Sequence, residues 1–503
     1  MNKHSKNTVT IEVNNFGPIS EAKVDLRPLT VLVGPSNTGK SYFAILVNAL
    51  QRSFAFRNSY LDRYPSEFTI NRISNPELPD IIKKTAVSLL NQLEKKDQVN
   101  LELDHDFLEI ARNDFNKKLS FFSNEEILRC FGIDDVNFLS QKGQTNSAKI
   151  KVKTSAMWRD NLKSHSIALS AKPECSFSFP SSIPFPQDKE KIRNLKDAAE
   201  YYLQNSIIPQ SKEIYSIYED FNFIDAVISI FIPFLVGPLD SRAFYLPADR
   251  TGIMHAHTAV VSSLIALAPM AGLRQTTRQS TMTGVLTDFL EQLIEINTLN
   301  SRKRGQKGDL GEGIEKAILQ GRVNIKLSKE INYPIFSYQP NGWKEDIPLA
   351  NASSMVSEVA PIVLFLRYKI NPGMLIIIEE PESHLHPSMQ VELTRQLAKL
   401  VKLGIRIVVT THSEWLIEAL ANIVHRSNIP KNKKGSISSE KIELNEDQVG
   451  VWLFQNKMEK NGTVVNEIKL DQYTSWQYPT DYDDIASALH NEWAEITDIV
   501  ENS

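Results

Sequence analysis

The sequence predicts an α/β protein built on a parallel sheet whose strand ends carry phosphate chemistry. Three observations predict it. Leu29–Val33 (LTVLV) is an apolar run of the kind buried on both sheet faces. It leads into GPSNTGKS and then into a helix over Tyr42–Phe54. Met374–Ile378 (MLIII) is a second such strand, followed directly by the acid pair Glu379-Glu380. Ile405–Val409 (IRIVV) is a third and leads to Thr411-His412. Ligands of open parallel sheets bind at the carboxyl ends of the strands.

Gly34-Pro35-Ser36-Asn37-Thr38-Gly39-Lys40-Ser41 fits the pattern G-x-x-x-x-G-K-[ST]. The glycines let the backbone curl so that successive N–H groups face phosphates, and the following helix points its positive end at them. Lys40 is expected on the β and γ phosphates and Ser41 on magnesium. Glu379 is expected in the magnesium shell, a place where Asp is commoner. Glu380 is expected to polarise the attacking water. A histidine at the end of the third strand, His412, can contact a γ-phosphate and sense its loss. ATP and magnesium are therefore the expected ligands.

The 503 residues suggest about three domains at roughly 150 residues each. With 42% hydrophobic, 23% charged and 9% aromatic residues, a wholly disordered chain is excluded. A net charge of −4, from 56 Lys+Arg against 60 Asp+Glu, excludes a globally basic nucleic-acid coat. The basic loops Arg302–Lys307 and Lys431–Lys434 leave weak local contacts open. Cys130 and Cys175 form neither a disulfide framework nor a paired zinc spacing, which suits a reducing cytoplasm. The N-terminus carries no secretory pattern. The most apolar stretch, Phe223–Val236, is too short to span a bilayer and contains Asp225 and Pro233, so it reads as a buried helix.

The expected organisation is a head in two pieces, residues 1–56 and 241–470, separated by a mostly helical insertion over 57–240. A helical tail over 471–503 follows. Strands are expected at Thr8–Val13, Ala22–Leu26, Lys149–Lys153, Ser166–Leu169, Cys175–Phe179, Ala243–Pro247, Gly450–Phe454 and Thr463–Ile468, with a hairpin from Val323–Leu327 and Ile335–Tyr338. Helices are expected at Ile81–Lys96, Asp197–Tyr218, His257–Met270, Thr283–Ile296, Glu358–Tyr368 and Met389–Leu403, and near Asp484–Ile499.

NFGPI, GPSNTGKS, IIIEEPESHLHP and VVTTHSEWL together resemble the ABC-class ATPases of the OLD and RecF group, often described as AAA-type. The resemblance covers about residues 8–55 and 243–468. It implies an ABC-type head in which two copies sandwich two nucleotides, each offering a signature segment to the other's nucleotide. That segment corresponds to Asn351–Glu358, with Ser353 and Ser354 at a helix start. Met355 stands where the group has Gly and Ser357 where Gln is common, which implies slow turnover. Tyr245–Arg250 (YLPADR) matches another segment of the group, with Arg250 a phosphate or partner contact or a surface residue. His384 and His386 fall in the dimer-facing loop after the acid pair.

Two functions follow from the resemblance. One is a homodimeric or larger ATPase that controls a separately encoded effector such as a nuclease. This is how the ATPase subunits of anti-phage systems such as Septu and PARIS act, and a DNA or phage-protein trigger accompanies it. The other is a RecF-like ATPase clamping DNA. A scaffold that binds ATP without hydrolysing it is disfavoured by Glu380. No nuclease constellation is found, since Asp481, Asp483 and Asp484 have no matching upstream acid. No membrane partner is expected.

Overall fold

The structure, a computed structural model, describes residues 8–54, 78–95, 100–141, 147–158, 161–169, 174–176, 182–184, 189–205, 223–230, 237–256, 282–299, 310–327, 334–429, 442–457, 459, 461–470 and 490–493. The expected helix His257–Met270, both basic loops and the Asp481–Asp484 cluster lie outside them. The chain divides into two compact units. One is Met1–Ile11, Ala49–Ile127 and Lys149–Arg242; the other is Glu12–Asn48, Leu128–Ala148 and Ala243–Ser503.

Strands β1 (Thr8–Phe16), β2 (Ile19–Asp25) and β3 (Leu29–Val33) open the chain and helix α1 (Lys40–Phe54) follows. The first unit then supplies α2 (Leu78–Leu93), β4 (Asn100–Glu102), most of α3 (His105–Phe131), β5 (Lys149–Trp158), β6 (Asn161–Leu169), β7 (Glu174–Ser176), β8 (Ser182–Pro184) and α4 (Lys189–Asn205). Helix predominates among its described residues. β5, β6 and β7 form an antiparallel meander, β4 pairs with β8, and α2 packs on α4. Residues 223–230 are helical, as expected of the start of Phe223–Val236. No helix among the described residues is long and apolar enough to cross a membrane.

Periodicity misses α3 because its buried face is not purely apolar. Phe107, Ala111, Phe115, Leu119 and Phe122 are buried there, but so are Lys118, Ser123 and Glu126. Partners neutralise the charges: Lys118 Nζ lies 2.9 Å from Asp114 Oδ2 and 2.6 Å from Asp225 Oδ1, and Arg52 Nε 3.2 Å from Glu126 Oε2. A buried charge is tolerated only when paired in this way.

The second unit carries β9 (Ala243–Leu246), α5 (Gly284–Leu299), β10 (Gly321–Leu327), β11 (Pro334–Pro340), β12 (Ile347–Pro348), α6 (Ser354–Tyr368), β13 (Leu375–Glu379), α7 (Pro387–Lys402), β14 (Arg406–Thr411), α8 (Glu414–Ser427), β15 (Val449–Lys457) and β16 (Gly462–Ile468). Its main sheet runs β2-β16-β15-β3-β14-β13-β9. From β15 to β9 all neighbours are parallel, while β15 and β16 form an antiparallel hairpin. β10 and β11 make the expected hairpin, extended by β12.

Every residue of β3, β9 and β13 is buried, as expected of strands in a parallel sheet. Leu29, Val31 and Val33 share a core with Ile376, Ile378, Phe289, Phe365, Leu397 and Leu420, from α5 to α8. Elsewhere in this unit the Phe43 ring of α1 packs edge-on against Phe454 of β15, 6.1 Å between centroids. Helices α3 and α8 and the short strands β4, β8 and β12 have no counterpart among the expected elements, while matched elements differ mainly at their ends. α1 begins at Lys40 and α6 at Ser354, while β14 runs on through Thr411.

Gly34 follows β3 at φ +142°, and a Cβ there would lie 2.3 Å from the Phe454 carbonyl oxygen. Neither the backbone angle nor the space admits a side chain. Gly34→Ala should cost about 2–4 kcal/mol of stability through strain and overpacking, read as a lower denaturant midpoint. An unchanged midpoint counts against this packing.

Candidate functional site

Register brings the chemistry together. Glu379 of β13 pairs with Thr410 of β14, and Thr411 of β14 pairs with Val33 of β3. The three strands therefore end level, within about one residue rise of 3.3 Å. The loop from Gly34, the acid pair and His412 all leave the sheet at one edge.

The loop after β3 needs special backbone angles. Asn37 takes φ +63° and Gly39 φ +93°; Asn tolerates this region and Gly occupies it freely. A Cβ on Gly39 would meet Ile19 and Pro18, each at 2.8 Å, so the β1–β2 turn braces the loop. Thr38 Oγ1 donates to Pro35 O at 2.8 Å. Lys40 opens α1 and is only 5% exposed, with Nζ donating to Gly34 O at 2.8 Å and Pro35 O at 2.7 Å. Burial pulls its pKa down to about 8, against the opposing pull of Glu380 and Glu382.

Glu380 sits at φ +43°, an uncommon angle for a residue with a Cβ. The strand end holds it there: its N–H donates to Thr410 O at 2.9 Å, and Ser383 Oγ donates to Oε2 at 3.3 Å. Its Oε1 lies 3.7 Å from His412 Nε2. Burial, then the Lys40 charge, lower the His412 pKa below its ordinary value, so the ring is neutral at pH 7. The sequence reading overlooks Glu382. Its buried carboxylate accepts from Thr411 Oγ1 and from the His412 N–H, both at 2.7 Å, and so fixes the histidine loop. Lys40, Ser41, Glu380 and His412 line one cleft of about 570 Å³, together with Ser36–Gly39, the Gly17-Pro18 turn, Phe138 and Gln141. Such a volume holds a small molecule of nucleotide size.

A family model described as "AAA ATPase domain" matches residues 9–417. The chain belongs to this family. Comparison with curated proteins found no match. Among solved structures, the SMC head domain from Thermotoga maritima is 10% identical, covers 92% of this chain and 98% of its own, and has a TM-score of 0.34. A Smc head domain bound to the C-terminal domain of ScpA derived from Pyrococcus furiosus is 10% identical, with coverage of 92% and 96% and a TM-score of 0.37. At these scores the fold rests on the strand pairing described above. It is the mixed α/β head expected from the motifs.

In this AAA ATPase domain the residues suit a magnesium nucleotide. Glu379 Oε2 accepts from Ala248 N at 3.1 Å, while its buried Oε1 has no hydrogen-bond partner among the described residues. Ser41 offers a hydroxyl in the cleft. No group of three or more His, Cys, Asp or Glu among the described residues is placed to hold a metal alone. Magnesium takes one or two protein oxygens plus phosphate, which fits. Burial, then the neighbouring Glu379 charge, push the Tyr245 hydroxyl well above its ordinary pKa, so it stays protonated beside the carboxylate.

Arg250 lies in neither of the places expected for it. Arg250 is fully buried, neither on the surface nor in the cleft lining. It donates to the carbonyls of Pro247 (2.9 Å), Glu379, Glu380 (3.0 Å) and Glu358 (3.1 Å) and pairs with the Glu358 carboxylate. Ser353 and Ser354 are exposed outside the cleft lining, and Ser353 caps α6 through Val356 N. Met355 and Ser357 open the same helix, with Ser357 Oγ donating to Leu349 O at 3.0 Å. His386 likewise caps α7. Phe138 and Gln141 carry no motif, so nothing in their spacing marks them.

Arg250→Met should strand the Glu358 carboxylate and cost about 3–5 kcal/mol, measured by denaturant unfolding; wild-type stability would contradict the clamp. The Lys40 ammonium loses its proton as pH rises through about 8. In magnesium-free buffer ATP affinity should therefore fall across that range, while Lys40→Arg stays charged and shows no such fall. Calorimetry between pH 7 and 9.5 checks it, and a flat wild-type profile counts against it.

Proposed function

We propose that the chain is an ATP-hydrolysing ABC-class switch. The carrying observation is the single cleft lined by Lys40, Glu380 and His412. Phosphoryl transfer needs little from the protein beyond positioning and charge stabilisation. Lys40 and the backbone N–H groups of the loop hold the phosphates. Glu380 orients and polarises the attacking water, and its backbone hydrogen bond to Thr410 fixes where that carboxylate starts. His412, neutral and held by Glu382, offers a ring N–H to the γ-phosphate. Ser41 and Glu379 would hold magnesium, which would supply charge neutralisation when bound.

Dimerisation around nucleotide completes this reading. Ser353 and Ser354 are exposed at the positive end of α6, free to meet the partner copy's nucleotide. Met355 in place of Gly supports slow turnover. The motif resemblance to the OLD and RecF group carries the last step: the ATPase governs a separately encoded effector, a nuclease, in anti-phage defence in the cytoplasm.

Glu380→Gln keeps the size and hydrogen bonding of the side chain but removes the base. It should bind ATP, lose turnover by about 10²–10⁴-fold and accumulate as a dimer on size-exclusion chromatography with light scattering. Hydrolysis at the wild-type rate would overturn the role of Glu380. Co-purification with a nuclease whose activity depends on Glu380 supports the effector. DNA-stimulated hydrolysis without such a partner favours a RecF-like role instead.

A further inference from the structure

One wall of the cleft comes from a segment that no motif marks. Residues Val136–Leu139 form a single 3-10 turn, and Ser140 and Gln141 follow it. This turn is fixed on both sides. Asp135 caps it by accepting from Asn137 N at 2.8 Å. The Leu139 side chain is buried and its carbonyl accepts from Gly17 N at 2.6 Å, while Gln141 N donates to Asn15 O at 3.1 Å. Phe138 is the residue just before Leu139, and its side chain is 73% exposed and lines the cleft. A firmly anchored turn thus spends a large apolar ring on water, on the same cleft as the phosphate loop.

The other aromatic of the cleft is already committed. Tyr42 packs against Phe16 and Phe131, with centroids 6.1 and 5.3 Å away, and its ring sits over Gly17, where a Cβ would lie 2.7 Å from Tyr42 Cδ1. Among the described residues no aromatic ring packs on Phe138. A nucleotide bound through its phosphates at Lys40 needs a second, apolar surface for its base, because the sheet edge around Glu380 and His412 is polar.

We infer that Phe138 is the stacking platform for the nucleobase, held in place by the Asp135–Gln141 turn. This rests on the nucleotide reading of the cleft. Every base has a π face, so the platform accepts purines without choosing between them. It adds affinity for nucleotide over bare phosphate.

The test compares ATP, GTP and inorganic tripolyphosphate by calorimetry on the full chain, using wild type, Phe138→Ala and Phe138→Trp. Phe138→Ala should weaken ATP and GTP alike, by about 5- to 100-fold, and leave tripolyphosphate unchanged. Phe138→Trp should keep or improve nucleotide binding. Because the side chain is exposed, the melting temperature of both variants should match wild type. Unchanged ATP affinity in Phe138→Ala overturns the platform while leaving the phosphate site standing. Equal weakening of ATP and tripolyphosphate also overturns it, since the loss then lies at the phosphates. A wild-type chain that binds neither ATP nor tripolyphosphate overturns the nucleotide reading and this inference together.

Discussion

A guanidinium shut away from water costs several kcal/mol unless its donors find protein oxygens. Arg250 meets that demand with four backbone carbonyls and one carboxylate. Two of the carbonyls belong to Glu379 and Glu380, so the acid pair cannot shift without exposing a buried cation. Glu358 supplies the other anchor, inside the helix that begins at Ser354. Thr251 Oγ1 donates to the same carboxylate. The end of β13 and the start of α6 are thus one electrostatic unit. The carboxylate that faces the cleft and the serines exposed at the start of α6 share a single buried tether.

The parts of the site readable in the sequence are those where local chain order equals spatial order. Strand, loop and helix from Leu29 to Phe54 are contiguous, and their glycines and apolar run mark them without reference to anything distant. The same holds for Leu375–Glu380 and Arg406–His412, each a buried strand followed by a functional side chain. Glu379 and Glu380 look alike in the sequence, yet one is buried against Ala248 and the other turns into the cleft at φ +43°. That division depends on the neighbouring strand, whose Thr410 holds the Glu380 N–H.

Other features depend on pairings across long sequence distances. Arg250 reads as a surface or phosphate-contacting arginine because, apart from Pro247, the partners described above lie more than 100 positions later. Glu382 reads as one more acid in a charged loop until Thr411 and the His412 N–H are brought against it. Helix α3 hides because Lys118 and Glu126 occupy its buried face, which is tolerable with partners that include Asp225 and Arg52 from elsewhere in the chain. Phe138 has no periodicity around it at all. Its place is set by backbone hydrogen bonds to the Asn15–Gly17 turn, which a pattern of side chains cannot reveal.

The central position of β3 has a consequence for how the chain is made. Its sheet neighbours on either side are β14 and β15, which begin at Arg406 and Val449. Some 370 residues separate Val33 from the nearer of them. At about 5–20 residues per second, the ribosome takes roughly 20–75 s to deliver that partner. Through that interval the five residues of β3, four of them apolar, carry unpaired backbone edges, a template for the wrong strand. Until β14 and β15 arrive, β3 is an aggregation hazard of the kind that chaperones shield.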